Sequence, residues 1–287
     1  MKLMNKIIIN GSGSYLAKKF ILSNKNKYEF IALTTSQNVL NFYKKEKISS
    51  YKINKDVNKS SKILSKIKGN TLINFAAFTD TKLNEKSIEK NININILYNS
   101  LIVFYLSKNN KKLNCLNLLS FYQFNLTKNN NFEPNSFYAS SKQSLQNILY
   151  FYYKKDLIHN LCSLILFDVY GKNDTRKKII YDIIRRKKVK IKNPNNYLHL
   201  VNEKDFVIAL KKIIIKTQSK KKFTKTYSIP FEKVQIKKLV HSLKKRNFNK
   251  KNIFKIIKFQ NKGIFFKKYP LIIKKLKYKF INYLSKT

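Results

Sequence analysis

Residues Ile7-Ile8-Ile9-Asn10 run straight into Gly11-Ser12-Gly13-Ser14-Tyr15-Leu16-Ala17, and this junction restricts the fold more than any other stretch. An isoleucine run this short suits a strand buried on both faces, and the small residues behind it suit a tight turn into a helix. At such a turn backbone N–H groups can approach a pyrophosphate, and the helix N-terminus adds about half a unit of positive charge. Ala17, one turn into the helix, permits close packing on the strand. Only five glycines occur in 287 residues, so finding Gly11 and Gly13 together is informative.

The first two-thirds of the chain alternates short apolar runs with longer helical patterns, as a parallel sheet with crossover helices requires. Strands are expected at Lys6–Asn10, Glu29–Thr34, Thr71–Phe75, Leu113–Leu119, Leu161–Asp168 and Tyr197–Val201. Helices are expected at Ser14–Ser23, Asn84–Ser107, Ser136–Lys155, Asp174–Lys187 and Glu203–Lys216. The fold class is α/β, a Rossmann-type doubly wound parallel sheet with a smaller C-terminal substrate-binding part. Residues 1–170 form the dinucleotide-binding domain and residues 171–287 the smaller part, partly interleaved with it. Beyond about residue 250 the chain is mostly Lys, Ile, Phe and Asn, and no role is assigned to it.

A net charge of +47 points first at nucleic acid. Yet the basic residues are nearly all lysine and are spread along the whole length, with arginine only at Arg176, Arg185, Arg186 and Arg246. Abundant Lys, Asn, Ile, Phe and Tyr beside scarce Gly, Pro, Ala and Arg is the pattern of an A/T-rich genome. No specific nucleic-acid partner is therefore expected. The 43% hydrophobic content supports a real core. No apolar run reaches the ~20 residues of a membrane span, and the start lacks a signal-peptide core. Cys115 and Cys162, well separated, suggest neither a disulfide framework nor a metal site. A reducing, cytoplasmic location is expected.

With 18 Tyr and 57 Lys, chance supplies about three or four Tyr-x-x-x-Lys matches, and the sequence holds five. Tyr15/Lys19, Tyr43/Lys47, Tyr51/Lys55 and Tyr150/Lys154 have no special setting. Tyr138/Lys142 sits in Pro134-Asn135-Ser136-Phe137-Tyr138-Ala139-Ser140-Ser141-Lys142, where a loop enters a helix and small residues fill the spacing. On a helix, positions i and i+4 share a face, so the ammonium can favour the phenolate and lower the Tyr138 pKa. Ser120, at the end of the preceding strand, is placed to hydrogen-bond the same substrate oxygen.

Three other stretches suit a cofactor enzyme. Ile31-Ala32-Leu33-Thr34-Thr35-Ser36 ends a strand with no acidic residue for a ribose 2′-hydroxyl, which leans toward NADP over NAD. Ala76 and Ala77 put small side chains at a strand's C-terminal end, where bulk would block a cofactor. Phe167-Asp168-Val169-Tyr170-Gly171 ends a strand and leads to a basic cluster, in which the planar guanidinium of Arg176 suits phosphate oxygens.

In this order, these pieces resemble the extended short-chain dehydrogenase/reductases of the NAD-dependent epimerase/dehydratase branch, over residues 5 to 230. Leu116–Gln123, Pro134–Gln143 and Leu164–Lys178 are similar to nucleotide-sugar enzymes such as the CDP-abequose and CDP-paratose synthase-like reductases. The resemblance implies hydride transfer between NAD or NADP and C4 of a nucleotide-activated sugar, as reductase or epimerase. Tyr138 would donate or accept the proton, Lys142 would tune it and hold the nicotinamide ribose, and Ser120 would orient the C4 oxygen. Gly11, Ser12, Gly13, Ser14, Tyr15 and Leu16 would line the pyrophosphate. Thr34 would lie at the adenosine ribose, Asp56 would meet the adenine, and Ala76 and Ala77 would line the cleft. Asp168 and Arg176 would face the substrate, Arg176 at its diphosphate. Gly11 matches the family's first loop glycine, whereas Ser14 and Ala17 replace the second and third, and Ser14 is expected to crowd the pyrophosphate. A homodimer is compatible with this reading. The alternative is a non-catalytic Rossmann-fold protein using its basic surface on RNA or anionic lipid.

Overall fold

The computed structural model describes residues 5–125, 131–171, 174, 176, 193–219 and 221–239. Within them a seven-stranded parallel sheet has the order β11-β8-β5-β4-β1-β2-β3. Its strands are β1 (Lys6–Asn10), β2 (Glu29–Thr34), β3 (Ser49–Lys52), β4 (Thr71–Asn74), β5 (Asn114–Ser120), β8 (Asn160–Leu166) and β11 (Thr224–Ser228). The hairpin β6 (Phe124–Asn125) and β7 (Asn131–Phe132) stands apart. A second sheet joins β9 (Asp168–Tyr170), β10 (Tyr197–Asn202) and β12 (Glu232–Gln235).

Helices cover both faces of the large sheet. They are α1 (Tyr15–Leu22), α2 (Gln37–Lys45), the single turn α3 (Ser61–Leu64), α4 (Glu85–Lys90), α5 (Asn99–Ser107), α6 (Phe137–Lys154) and α7 (Glu203–Thr217). Alternation along β1 puts Ile7 and Ile9 into the core with α1 and α7, and Ile8 into the core with α5 and α6. Every residue of β4 and β5 is buried, as expected of central parallel strands. Ser14, Ser36, Asn84, Ser136 and Asn202 each accept a backbone N–H at a helix start.

The structure departs from the sequence expectations in particular places. The expected strand Leu161–Asp168 breaks at Phe167, because Asp168–Tyr170 pairs with β10 in the small sheet. The expected helix Asn84–Ser107 contains a π-helical stretch, Asn91–Tyr98, between α4 and α5. The expected helix Asp174–Lys187 lies outside the described residues apart from Asp174 and Arg176, as does the chain beyond residue 239. After β10 the chain returns through α7 to add β11 beside β8, then crosses back to β12.

A polar seam crosses the sheet on its α5/α6 side. Asn10, Asn74, Asn117 and Ser163 are paired in register on β1, β4, β5 and β8. Asn10 Nδ2 donates to Asn99 Oδ1 at 2.8 Å and to Asn74 Oδ1 at 3.0 Å. Asn117 Nδ2 and Ser163 Oγ both donate to Gln146 Oε1, each at 2.9 Å. Gln146 stands one turn after Lys142 on α6, so the seam ties the residue preceding Gly11 to the helix carrying Tyr138 and Lys142.

Candidate active site

A cavity of about 1540 Å³ opens where the carboxyl ends of β1, β4, β5 and β8 face the small sheet. This is the crevice at which open parallel sheets bind ligands, because connections leave adjacent strands in opposite directions there.

At its β1 end the backbone turns sharply. Gly11 has φ of +72°, and a Cβ there would sit 2.4 Å from the Ala76 backbone nitrogen, so the turn has no room for a side chain. Ser12 is fully buried, and both its N–H and its hydroxyl bond the Leu33 carbonyl, at 3.1 and 2.9 Å. The Tyr43 hydroxyl donates to the Ser12 carbonyl at 2.7 Å, fixing the turn from α2. Ser14 lines the cavity, and its hydroxyl turns back to accept the Ala17 N–H at 3.3 Å as the α1 cap. Gly13 and Leu16 line the cavity, and their amides have no protein partner among the described residues. These features fit a dinucleotide pyrophosphate: a turn too tight for a Cβ, unbonded amides and the start of a helix.

On the opposite wall stand Ser120, Tyr138 and Lys142, all lining the cavity and all buried. Ser120 ends β5, while Tyr138 and Lys142 lie one turn apart on α6. Burial pushes the Tyr138 pKa up to about 12, against which the neighbouring Ser120 side chain acts downward. Burial likewise pulls Lys142 down to about 8. The expected lowering of Tyr138 by Lys142 is therefore not what dominates: burial disfavours the charged form of both groups.

The other expected residues divide. Ala77, Asp168, Arg176, Gly13, Ser14, Tyr15 and Leu16 line the cavity. Ala76 backs Gly11 from behind. Thr34 is buried and accepts the Ser36 N–H at 3.1 Å. Asp56 is exposed and accepts the Asn58 N–H at 3.2 Å, capping a short 3-10 turn. Neither Thr34 nor Asp56 reaches the cavity wall. Arg176 is held by Asp174 at 2.6 and 2.8 Å and by the Val169 carbonyl at 2.8 Å, with its guanidinium over the Tyr15 ring at 4.8 Å. Asp168 accepts the His199 N–H at 2.9 Å between neighbouring strands of the small sheet.

Several residues not anticipated from the sequence complete the site. Glu203, at the start of α7, accepts from the Tyr15 hydroxyl and pairs with Lys19 at 3.3 Å. A Cβ on Gly171 would overlap the Glu203 carboxylate, so that glycine leaves it room. His199 lines the substrate side beside Phe121 and Phe231, and burial with nearby Lys233 lowers its pKa to about 4, leaving it neutral. Asn95, in the π-helical stretch, accepts the Phe78 N–H at 2.7 Å, donates to the Phe78 carbonyl at 2.9 Å and to Ser141 Oγ at 2.9 Å. It thereby ties the loop after β4 to the helix between Tyr138 and Lys142. The spacing Asn91, Asn95, Asn99 on one helix was a readable signal, obscured in a chain rich in asparagine.

Solved structures share this fold. A variant of the UDP-glucuronic acid 4-epimerase from Bacillus cereus, in complex with UDP-4-deoxy-4-fluoro-glucuronic acid and NAD, superposes with a TM-score of 0.69 at 14% identity, covering 84% of this chain and 82% of that one. The UDP-glucose 4-epimerase of Thermotoga maritima, with UDP-glucose, gives 0.67 at 15% identity over 85% and 84%. The Bordetella bronchiseptica enzyme WbmG, in complex with NAD, gives 0.67 at 15% identity over 96% and 83%. No curated protein matches the sequence. The profile of the NAD-dependent epimerase/dehydratase family matches residues 11–221, most of the chain. With that match, the glycine turn under Ala76 and the Ser120, Tyr138 and Lys142 wall have their place: the chain belongs to the NAD-dependent epimerase/dehydratase family.

Proposed function

We propose that the protein interconverts C4 epimers of a nucleotide-activated sugar, using Ser120, Tyr138 and Lys142 at a nicotinamide cofactor. The observation that carries this reading is that Ser120, Tyr138 and Lys142 line the same cleft as the Gly13–Leu16 stretch of the turn, with Lys142 one turn beyond Tyr138 along α6. A bound NAD or NADP would accept hydride from the sugar C4 and return it. Tyr138, as phenolate, takes the C4 hydroxyl proton and later gives it back; Ser120 donates to the same oxygen and holds it in place. Lys142 carries its charge below about pH 8 and would hold the nicotinamide ribose.

The substrate side supports a nucleotide sugar. Asp168 and His199 supply polar groups beside the Phe121 and Phe167 rings, which stack with centroids 5.4 Å apart. The neighbouring enzymes' UDP-linked hexoses are the first substrates to test. A reductase, the other outcome implied by the resemblance, would consume NADH or NADPH stoichiometrically, whereas an epimerase regenerates its cofactor. Following NADH and NADPH absorbance against nucleotide-linked 4-keto sugars separates the two. The end of β2, Thr34-Thr35-Ser36, presents no carboxylate to repel a 2′-phosphate, which supports use of NADP as well as NAD. The same catalytic wall does not favour the non-catalytic alternative. Exposed Ile92, Leu97, Tyr150 and Phe151, on the packed helices of one face, support a homodimer. No helix among the described residues is long and apolar enough to cross a membrane.

A further inference from the structure

Two ties join the end of β5 to α6, and only one of them passes through the reacting groups. The first is the approach of the Ser120 side chain to Tyr138, which favours the phenolate. The second starts from the Ser120 backbone: its N–H donates to Gln123 Oε1 at 2.8 Å, and Gln123 Nε2 donates to Gln143 Oε1 at 2.9 Å. Gln143 follows Lys142 directly and donates in turn to Asn147 Oδ1 at 2.9 Å. Gln123 is fully buried and does not line the cavity. A site needing only packing there would be filled by an apolar side chain, since a buried amide is tolerated only when its hydrogen bonds are met.

We propose that Gln123 is a positioning residue, setting the Ser120 hydroxyl against Tyr138 by locking the Ser120 backbone to the helix that carries Tyr138 and Lys142. This rests on the catalytic reading of Ser120 and Tyr138 given above. The Asn117–Gln146 bond holds the middle of β5 to α6, but without the Gln123–Gln143 bond the Ser120 end of the strand would be free to shift against Tyr138. The reciprocal cap over Phe121–Gln123, in which Ser120 Oγ accepts the Tyr122 N–H at 3.3 Å, fixes the backbone at Ser120. The bond to Gln143 then fixes that backbone relative to α6. Small displacements between reacting groups cost large factors in rate, so the second tie acts on chemistry without touching substrate.

The test reads Tyr138 ionisation, which a merely structural role would leave unchanged. Tyrosinate ultraviolet absorbance is followed against pH in the full-length protein with and without NAD, and the component lost in Tyr138→Phe is assigned to Tyr138. Gln123→Met keeps the side-chain length and removes the amide. It is expected to move the Tyr138 component to higher pH by about one unit, the size expected when a charge-assisted hydrogen bond to the phenolate is lost. Gln143→Leu, on a half-exposed helix position, cuts the tie to α6 together with the Gln143–Asn147 bond, leaves the Gln123 bond to the Ser120 N–H, and is expected to shift the component in the same direction by less. An unmoved Tyr138 component in folded Gln143→Leu would overturn the proposal, as it would in Gln123→Met if that variant folds. Failure of the wild type to convert any UDP-hexose would instead contradict the proposed function and leave the titration readable.

Discussion

Lys142 shows what the site asks of single residues. Its pKa is near 8 in the folded protein and near 10.4 in an unfolded chain. Between those values the unfolded chain binds more protons, so stability rises with pH across that window, and below it the full penalty of about 3 kcal/mol applies. Lys142→Met is therefore expected to stabilise the protein at pH 7 while removing activity, with the gain vanishing above about pH 10.4. Urea unfolding of both proteins at pH 7 and in mild alkali checks this; an equal difference at both values would contradict it. That Ser120, Tyr138 and Lys142 meet at one cavity is foreshadowed in the sequence, because Tyr138/Lys142 alone among five matches is spaced by small residues at a helix start. The pKa relation between them was not legible, since it depends on burial that spacing does not reveal. Asp56 shows the converse: an acid in a suitable sequence setting that the structure uses as a turn cap.

At the level of elements, strong local patterns carried the reading. Lys6–Asn10 and Glu29–Thr34 form strands with the expected bounds, because continuous burial demands continuous apolar residues. Strand β3 was not legible, since its exposed edge position leaves Ser49–Lys52 polar. Strands β11 and β12 were also missed: only Tyr227, Ser228 and Val234 of their residues are buried. The asparagine seam was hidden for a different reason: asparagine is common throughout this chain, so its in-register placement on β1, β4 and β5 emerges only in three dimensions. Asn117→Leu would leave the Asn74 amide without its Asn117 partner and break the link to Gln146, and is expected to cost about 1–3 kcal/mol. Denaturant unfolding measures this; a neutral result would show that the seam is dispensable. Gly11→Ala meets both a positive φ and the Ala76 backbone. Calorimetry is expected to show NAD affinity reduced by about five- to 150-fold, from strain of about 1–3 kcal/mol at the turn.

Over the whole molecule, charge and site are separate matters. A chain of +47 is expected to bind heparin or RNA at low salt and to release them steeply as salt rises, the mark of counterion release rather than a specific site. NAD affinity, resting on a turn and a buried cleft, is expected to vary far less over the same salt range, as parallel titrations would show. The cleft itself is a property of the whole chain, because residues 168–170, 197–202 and 232–235 form the small sheet that closes it. The central claim is that Tyr138, Ser120 and Lys142 carry out hydride chemistry at a sugar C4. Proton NMR of UDP-glucose and UDP-glucuronic acid incubated with NAD and the protein tests it most directly. The account predicts that the C4 epimer of at least one accumulates without net NADH, and that Tyr138→Phe binds NAD as tightly as wild type but forms no epimer. Full epimerisation by Tyr138→Phe would contradict it.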